Sequence, residues 1–585
     1  MKTKLLFLIA SIICISATGA LAADREIEIV GKYLNFPVKH GADNHLVSLV
    51  VDGEKVREFT VELATDEPDY WVYLEVQDFI GKTGSLSLME WKSDNEEKKT
   101  KSGTWQQVTA EQAPGLASVH SADTFPGEED LYSEALRPQF HFSSKRGWNN
   151  DPNGLVYYEG EYHMFYQHNP FGWEWGNMTW GHAISTDLVH WVEQGDKLHM
   201  DELGQMWSGS GVVDWNNTTG FQTGDEPPLV LIYTNAGGYS HWSDDEPFTQ
   251  GIAYSNDRGR TWTKYDGNPV LGFVKEGSRD PKVQWWAETQ EWVMALYEEY
   301  PNVGFYTSKD LKDWEPHGTM VSNHECPELV KLAIDGDKTN GKWVHYAAHG
   351  QYFVGDFDGK SFTKESEEIR FNYGNMFYAS QIFNDVPDED GRSIQVGWAR
   401  VNLPDMPFNQ MMTFPVSLEL RSTDEGLRMF TYPVEEIEKL HGKSYSWSDE
   451  VLKPGDNPLE AVKGNLFDID VKIAVGDADE VGLVINGFPV VYSVAEQRLI
   501  GGDGKEGDQF SSGETQAQLA TEDGVITLRI LVDRPSVEIF ANGGRVYMPM
   551  QAVRDLNDQS LRIYSKGGDA EIKELSVYEM KPIWD

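Results

Sequence analysis

The chain has 585 residues, 20 of them tryptophan, and its 94 acidic side chains outnumber 49 basic ones to give a formal charge of −45. Such a surface repels nucleic acid and anionic membranes, and favours a neutral substrate over an anionic one. The length accommodates about two to four domains with sizeable cores.

The first segment reads as a leader. Lys2 and Lys4 give a basic start, Leu5 to Ala17 is an apolar run too short to span a bilayer comfortably, and "GALAAD" offers small residues for cleavage near Ala22 or Ala23. Residues 1–23 are therefore expected to be a secretory signal peptide, and the mature protein to be secreted or periplasmic. No later stretch is apolar enough to cross a membrane. Cys14 would leave with the leader, and its flanks fit a lipid anchor poorly. Cys326 is then left with no disulfide partner.

The rest predicts an all-β protein, because its apolar runs are short and alternating and helical periodicity is nearly absent. Residues 24–125 contain "HLVSLVVDGEKVREFTVELA" and "YWVYLEV" and predict a small β-sandwich, with the charged run "SDNEEKKTKSG" as an exposed loop. Between residues 137 and 432 one plan recurs: "STDLVHW" (185–191), "SNDRGRTW" (255–262) and "SKDLKDW" (308–314). Each copy follows a short strand, opens on Ser-x-Asp and closes on Trp. The Asp is expected to hydrogen-bond its own turn, and the Trp to pack the hairpin on a neighbouring sheet. Such a repeat, at roughly 50- to 70-residue spacing, suggests a β-propeller of about four to six blades. Residues 433–444, with "VEEIEKL", read as a short helical linker. Residues 445–585 predict a second sandwich, with Asn-Gly-Gly at 542–544 as a hairpin turn.

Three acids in the central segment stand in unusual settings. Asp151 lies in "RGWNNDPNGLVYY", Asp280 in "SRDPK" and Glu325 in "HECPEL". Taken alone, Asp-Pro-Asn-Gly is turn grammar. Taken together, each acid falls in a different proposed blade, and blade loops meet at one end of a propeller's channel. Several carboxylates among tryptophans suit glycoside cleavage, where one carboxyl donates a proton and another stays ionised.

"WNNDPNGL", "RDP" and "ECPEL" in this order resemble glycoside hydrolase family 32, the β-fructosidases. The likeness continues through "YQHNP" (166–170), "WGHAISTDLVHW" (180–191), "WSGSGVV" (207–213) and "FYASQ" (377–381), over roughly residues 137–585. It implies a five-bladed propeller followed by a β-sandwich, with the N-terminal domain as an addition. It implies Asp151 as nucleophile, Glu325 as general acid/base and Asp280 as transition-state stabiliser. Retention of configuration follows, with the Asp151 and Glu325 carboxyls roughly 5–5.5 Å apart. Asn150 and Gln167 are expected to bond fructose hydroxyls, Trp175 to form an apolar wall, Trp207 and Ser208 to contact the sugar, and Tyr378 and Trp398 to complete the site. Arg279 is expected either to keep Asp280 ionised or to bridge to Glu325.

Departures from the family pattern are Asn149, where Met is frequent, Gly211, where Ala is common, and a loosely matching "MPFNQMMTFPVSLEL". Cys326 reads as a small buried residue without chemistry, and His324 as scaffolding. No zinc spacing or Walker loop is present, no cofactor is expected, and a calcium site is left open. The resulting expectation is an exported, retaining enzyme that releases fructose from levan or inulin, exo-acting, with activity on sucrose. The alternatives are endo action, an inverting family-43-like arabinan or xylan glycosidase, and a non-catalytic fructan-binding protein. "WNNDPNG" with "ECPEL" disfavours the second of these, and the presence of all three acids disfavours the third. The extra N-terminal domain is expected to brace the propeller rather than bind polysaccharide.

Overall fold

The computed structural model describes residues 25–93, 103–109, 112–322, 324–502 and 515–584. The leader read at residues 1–23, with Cys14, lies outside them, as do residues 94–102 of the charged run. Among the described residues the protein is all-β, and every helical segment is a short 3-10 turn. The linker helix expected from "VEEIEKL" is one of these, Glu435–Leu440, with Ile437 and Leu440 buried.

The N-terminal part is a two-sheet sandwich. Strands Arg25–Glu28, Thr83–Ser93, Asn44–Val51 and Glu54–Glu62 pair in that order, with Gly103–Val108 on Thr83–Ser93. The second sheet is Tyr70–Glu75, Tyr33–Val38 and His120–Ala122. Alternating residues of both sheets, among them Phe36, Val47, Phe59 and Leu88, form one buried core.

Antiparallel meanders follow. The first runs Gly147–Tyr158, Glu161–Asn169, Thr179–Ser185 and Val192–Leu198, the second Gln205–Val213 to Thr263–Lys264, the third Arg279–Trp286 to Glu315–Val321. The fourth, Glu328–Ile334 to Phe362–Lys364, and the last, Phe377–Ile382 to Gly426–Pro433, share one ten-stranded sheet through a parallel contact of Ile334 with Leu420. The chain then returns to its start: Phe408–Asn409 pairs with Gly147–Trp148. The repeated Ser-x-Asp turns behave as expected. In each, the residue after the Asp is left-handed: Leu188 at φ 64°, Arg258 at φ 57°, Leu311 at φ 62°. Asp187 Oδ1 accepts from the backbone of Val189 and His190, and Trp262 meets Phe165 of the preceding sheet edge-on.

The C-terminal part is a second sandwich, a six-stranded sheet on a five-stranded one over a core that includes Phe467, Ile530 and Ile563. The hairpin Ser536–Ala541 to Val546–Gln551 turns at Asn542, Gly543 and Gly544, all with positive φ. Its junction with the meanders is ionic. His141, fully buried, places Nδ1 2.8 Å from Asp533 and Nε2 3.1 Å from Glu538. Burial pushes His141 down, but the two carboxylates outweigh it and raise its pKa from 6.5 to about 9. Its stabilising contribution is therefore complete below the unfolded value of 6.5 and is lost as pH rises through about 9. Urea midpoints should fall over that window. Substituting His141→Ala should lower stability by about 3–5 kcal/mol, because it strands two buried carboxylates, and should flatten that fall. An unchanged pH dependence in the variant would count against this account.

Candidate active site

The first strands of four meanders pack side by side, and each is bulged against its partner strand. Between Pro152–Tyr166 and Asn149–His168, Asn150 and Asp151 oppose Gln167 alone. Ser208 is an extra residue between paired Trp207 and Gly209. Asp280 and Pro281 oppose one residue, and so do Ala379 and Ser380. The expectation that Asp151 lies in a turn is corrected here: "WNNDPNG" belongs to one strand, Gly147–Tyr158. Asn, Asp and Pro interrupt its pairing with a bulge, and the partner strand continues past it. A bulge adds local twist and re-aims side chains. The fourth meander uses a bend instead, Glu325-Cys326, just before strand Glu328–Ile334. Asp280 (φ 60°), Cys326 (φ 53°) and Ala379 (φ 45°) are all left-handed non-glycine residues. Each such residue costs on the order of 1–3 kcal/mol and persists where surrounding packing dictates it.

These devices bring the three acids together. Asp151 Oδ1 accepts from Asn150 Nδ2 at 2.9 Å and Oδ2 from the Ser208 hydroxyl at 2.6 Å. Asp280 Oδ2 accepts from the Cys326 backbone N–H at 3.1 Å, and the Cys326 thiol lies 3.5 Å from Asp280 and 3.8 Å from Asp151. Glu325 Oε1 accepts from the Tyr378 hydroxyl at 2.8 Å, and Oε2 from Arg279 Nε at 2.9 Å and from Arg279 Nη2.

Of the two partners left open for Arg279, the guanidinium takes Glu325; Asp280 stands 3.8 Å away. This sets the ionisation order. Burial pushes Asp280 up to about 7 despite Arg279, with Glu325 and Asp151 adding to the rise. Burial likewise raises Asp151, against its bonds from Ser208 and Asn150. In Glu325 burial is outweighed by Arg279 and Tyr378, which hold the carboxyl below its usual range. The ligand-free cluster thus keeps its proton nearer Asp280 than Glu325. Burial raises the Cys326 thiol well above its ordinary value, which is the environment of an inert cysteine.

The remaining residues named from sequence line the same pocket, of about 420 Å³. Asn150 is held in place by two bonds: its Oδ1 accepts from Trp148 Nε1 and its Nδ2 donates to Asp151. Gln167 donates to the Met206 carbonyl. Trp398 donates to Gln410 and sets its ring edge-on to Tyr378 at 5.8 Å. Trp175, 46 % exposed, meets Trp207 edge-on at 5.7 Å. Tyr239, Phe248 and Glu276 also line the pocket and were not read from sequence. His324 accepts or donates at the Tyr378 hydroxyl, 3.0 Å away, a supporting position. Larger clefts of about 610 and 760 Å³ lie elsewhere, without the carboxylate cluster.

A cleft of aromatic walls around three carboxylates, one of them bonded by Arg and Tyr, holds the groups that glycoside cleavage requires. The description "Glycosyl hydrolases family 32 N-terminal domain" matches residues 141–433, and its C-terminal counterpart matches 436–579; the chain belongs to glycoside hydrolase family 32. Residues 23–129 match a domain of unknown function. A levanase of Bacillus subtilis (strain 168) is 38 % identical over 509 residues, covering 80 % of this chain and 74 % of the levanase. An extracellular exo-inulinase of Aspergillus awamori is 31 % identical over 522 residues, covering 78 % and 96 %. The crystal structure of exo-inulinase from Aspergillus awamori superposes with a TM-score of 0.70 at 31 % identity, over 77 % of this chain and all of that one. A fructofuranosidase from Schwanniomyces occidentalis complexed with fructosylnystose gives a TM-score of 0.69 at 26 % identity, over 77 % and 98 %.

Proposed function

We propose that this glycoside hydrolase is an exported, retaining exo-fructosidase that releases fructose from levan or inulin and cleaves sucrose at some rate. The observation that carries this reading is the single pocket holding Asp151, Asp280 and Glu325 inside an aromatic wall. Its chain-end specificity and its substrates are supported by relatives named for levan and for exo-acting on inulin. Export is supported by the leader-like residues 1–23 and by relatives named extracellular. The five meanders are read as five propeller blades over residues 137–432. The flanking units are 24–125, the linker 433–444 and 445–585.

In this mechanism Asp151 attacks the anomeric carbon of the terminal fructosyl unit as the glycosidic C–O bond breaks. Glu325 delivers a proton to the departing oxygen. Water then attacks the fructosyl-enzyme, losing its proton to Glu325, and Asp151 is released as a carboxylate. Asp280 holds fructose hydroxyls as the ring flattens. The low-lying Glu325 must first gain a proton, so substrate entry is read as loosening the Arg279 contact. Burial pushes the neighbouring Asp280 up to about 7, a group able to hold a proton at neutral pH.

Incubating the mature protein with levan, inulin and sucrose, and resolving products over time, tests the reading. Fructose as the sole early product from a polymer is expected. A ladder of oligosaccharides would replace exo with endo action, and no product from any of the three would remove the fructosidase assignment.

A further inference from the structure

The N-terminal sandwich touches the meanders at the rim of the active site. Its hairpin, strands Asn44–Val51 and Glu54–Glu62, reaches two separate loops. The first loop, residues 170–177, carries Trp175. Phe171 in this loop is buried in the N-terminal core and stacks on Phe59, ring centroids 3.7 Å apart and planes 16° from parallel. Asn177 closes the loop in a left-handed conformation, φ 45°, and is only 4 % exposed. Its Oδ1 accepts from the Thr60 backbone N–H at 2.7 Å and the Thr60 hydroxyl at 3.1 Å. Its Nδ2 donates to the Thr60 carbonyl at 2.8 Å and to Asn169 at 2.9 Å. Asn169 in turn donates to the Glu174 carbonyl, one residue before Trp175. The second loop carries Tyr239. There the hairpin's Lys55 sits over the Trp242 ring at 4.9 Å, and buried Glu58 faces His241 at 3.6 Å.

Trp175 and Tyr239 are each about half exposed, 46 % and 49 %. The two rings meet each other edge-on and both meet Trp207, and Tyr239 also meets Phe248 at 5.7 Å. The backbone of each bearing loop sets where this cluster stands: both loops are fastened to the same hairpin, and Gln205 also holds the Tyr239 carbonyl at 2.8 Å. We propose that this N-terminal hairpin is a positioning element of the active site, which sets the exposed aromatic rim formed by Trp175 and Tyr239 for the fructosyl unit. The added domain thus takes part in substrate binding without touching substrate. This inference rests on the fructosidase reading above.

The test uses the full mature chain. Asn177→Gly keeps the left-handed backbone but removes the side-chain bonds to Thr60 and Asn169. It should raise KM for sucrose and for levan about five- to tenfold, weaken inhibition by free fructose in step, and leave kcat within about twofold. In a Trp175→Ala background, Asn177→Gly should add less than about a twofold change, because the clamp acts through Trp175. Phe59→Leu, which removes the stack on Phe171 and keeps an apolar side chain of smaller volume in the core, should move KM in the same direction and serves if Asn177→Gly does not fold. An unchanged KM and fructose inhibition constant, a loss confined to kcat, or full multiplication of the two effects would each overturn the proposal. A wild type that cleaves no fructan or sucrose would defeat the fructosidase reading instead.

Discussion

Replacing Asp151 with asparagine should leave the fold intact and lower kcat on levan and sucrose by at least about a thousandfold. The fold survives because the substitution is accommodated where it stands. The asparagine carbonyl can accept from Asn150 Nδ2 as Oδ1 does now, and its amide can donate to the Ser208 hydroxyl in place of the present O–H donation to Oδ2. What disappears is the charge that the proposed mechanism uses to attack the anomeric carbon. A second variant separates attack from mere positioning. In Asp151→Ala, azide should enter the vacated space, restore slow turnover of an activated fructoside and yield a fructosyl azide. Retention of more than about a tenth of wild-type kcat in Asp151→Asn would return this residue to a structural part.

The second large effect is expected at Glu325. Glu325→Gln should reduce kcat on levan by about 10²–10⁴-fold, the usual worth of a positioned proton donor. The loss should shrink for a fructoside whose leaving group departs without protonation. The pH profile adds a sharper reading. In the free pocket burial raises Glu325, but Arg279 and Tyr378 outweigh it and hold the carboxyl low. Removing Arg279, as in Arg279→Leu, leaves burial unopposed by a cation. The Glu325 pKa then rises, and so does that of Asp280, which Arg279 also lowers; the alkaline limb of kcat/KM, set by the proton these two acids hold in the free enzyme, should move to higher pH even as its plateau drops. An alkaline limb that stays in place, or moves down, would show that Arg279 does not hold these carboxyls ionised.

Much of this site was legible in the sequence because its parts are local. "WNNDPNG", "RDP" and "ECPEL" each compress an acid and the residues that orient it into a few positions. Trp175 and Trp207 lie within a few residues of comparable motifs. The meander repeat was legible for the same reason, since Ser, Asp and Trp close one turn among themselves. Tyr239, Phe248 and Glu276 escaped because they belong to no motif of their own: Tyr239 and Glu276 reach the pocket on connecting loops, and Phe248 at the start of the strand Phe248–Ser255. The setting of Asp151 was misread for a related reason. Asn, Asp, Pro and Gly spell a turn when only neighbours are considered, but the strand that lies alongside, Glu161–Asn169, keeps pairing on both sides and converts the turn into a bulge. The choice between Asp280 and Glu325 as partner of Arg279 likewise depended on a residue 46 positions away.

Because bulges and one bend at the inner strands present the three acids, the outermost strand of each meander supplies no residue of the pocket. Over evolutionary time those outer strands and their hairpins can lengthen, shorten or change character, and new modules can be grafted onto them, without moving a reacting atom. A one-residue deletion beside Asp151 is a different event. It restores regular pairing and turns the carboxylate to the opposite face of its sheet. Lineages of this fold should therefore accumulate insertions at the periphery while the length of each bulged segment stays fixed.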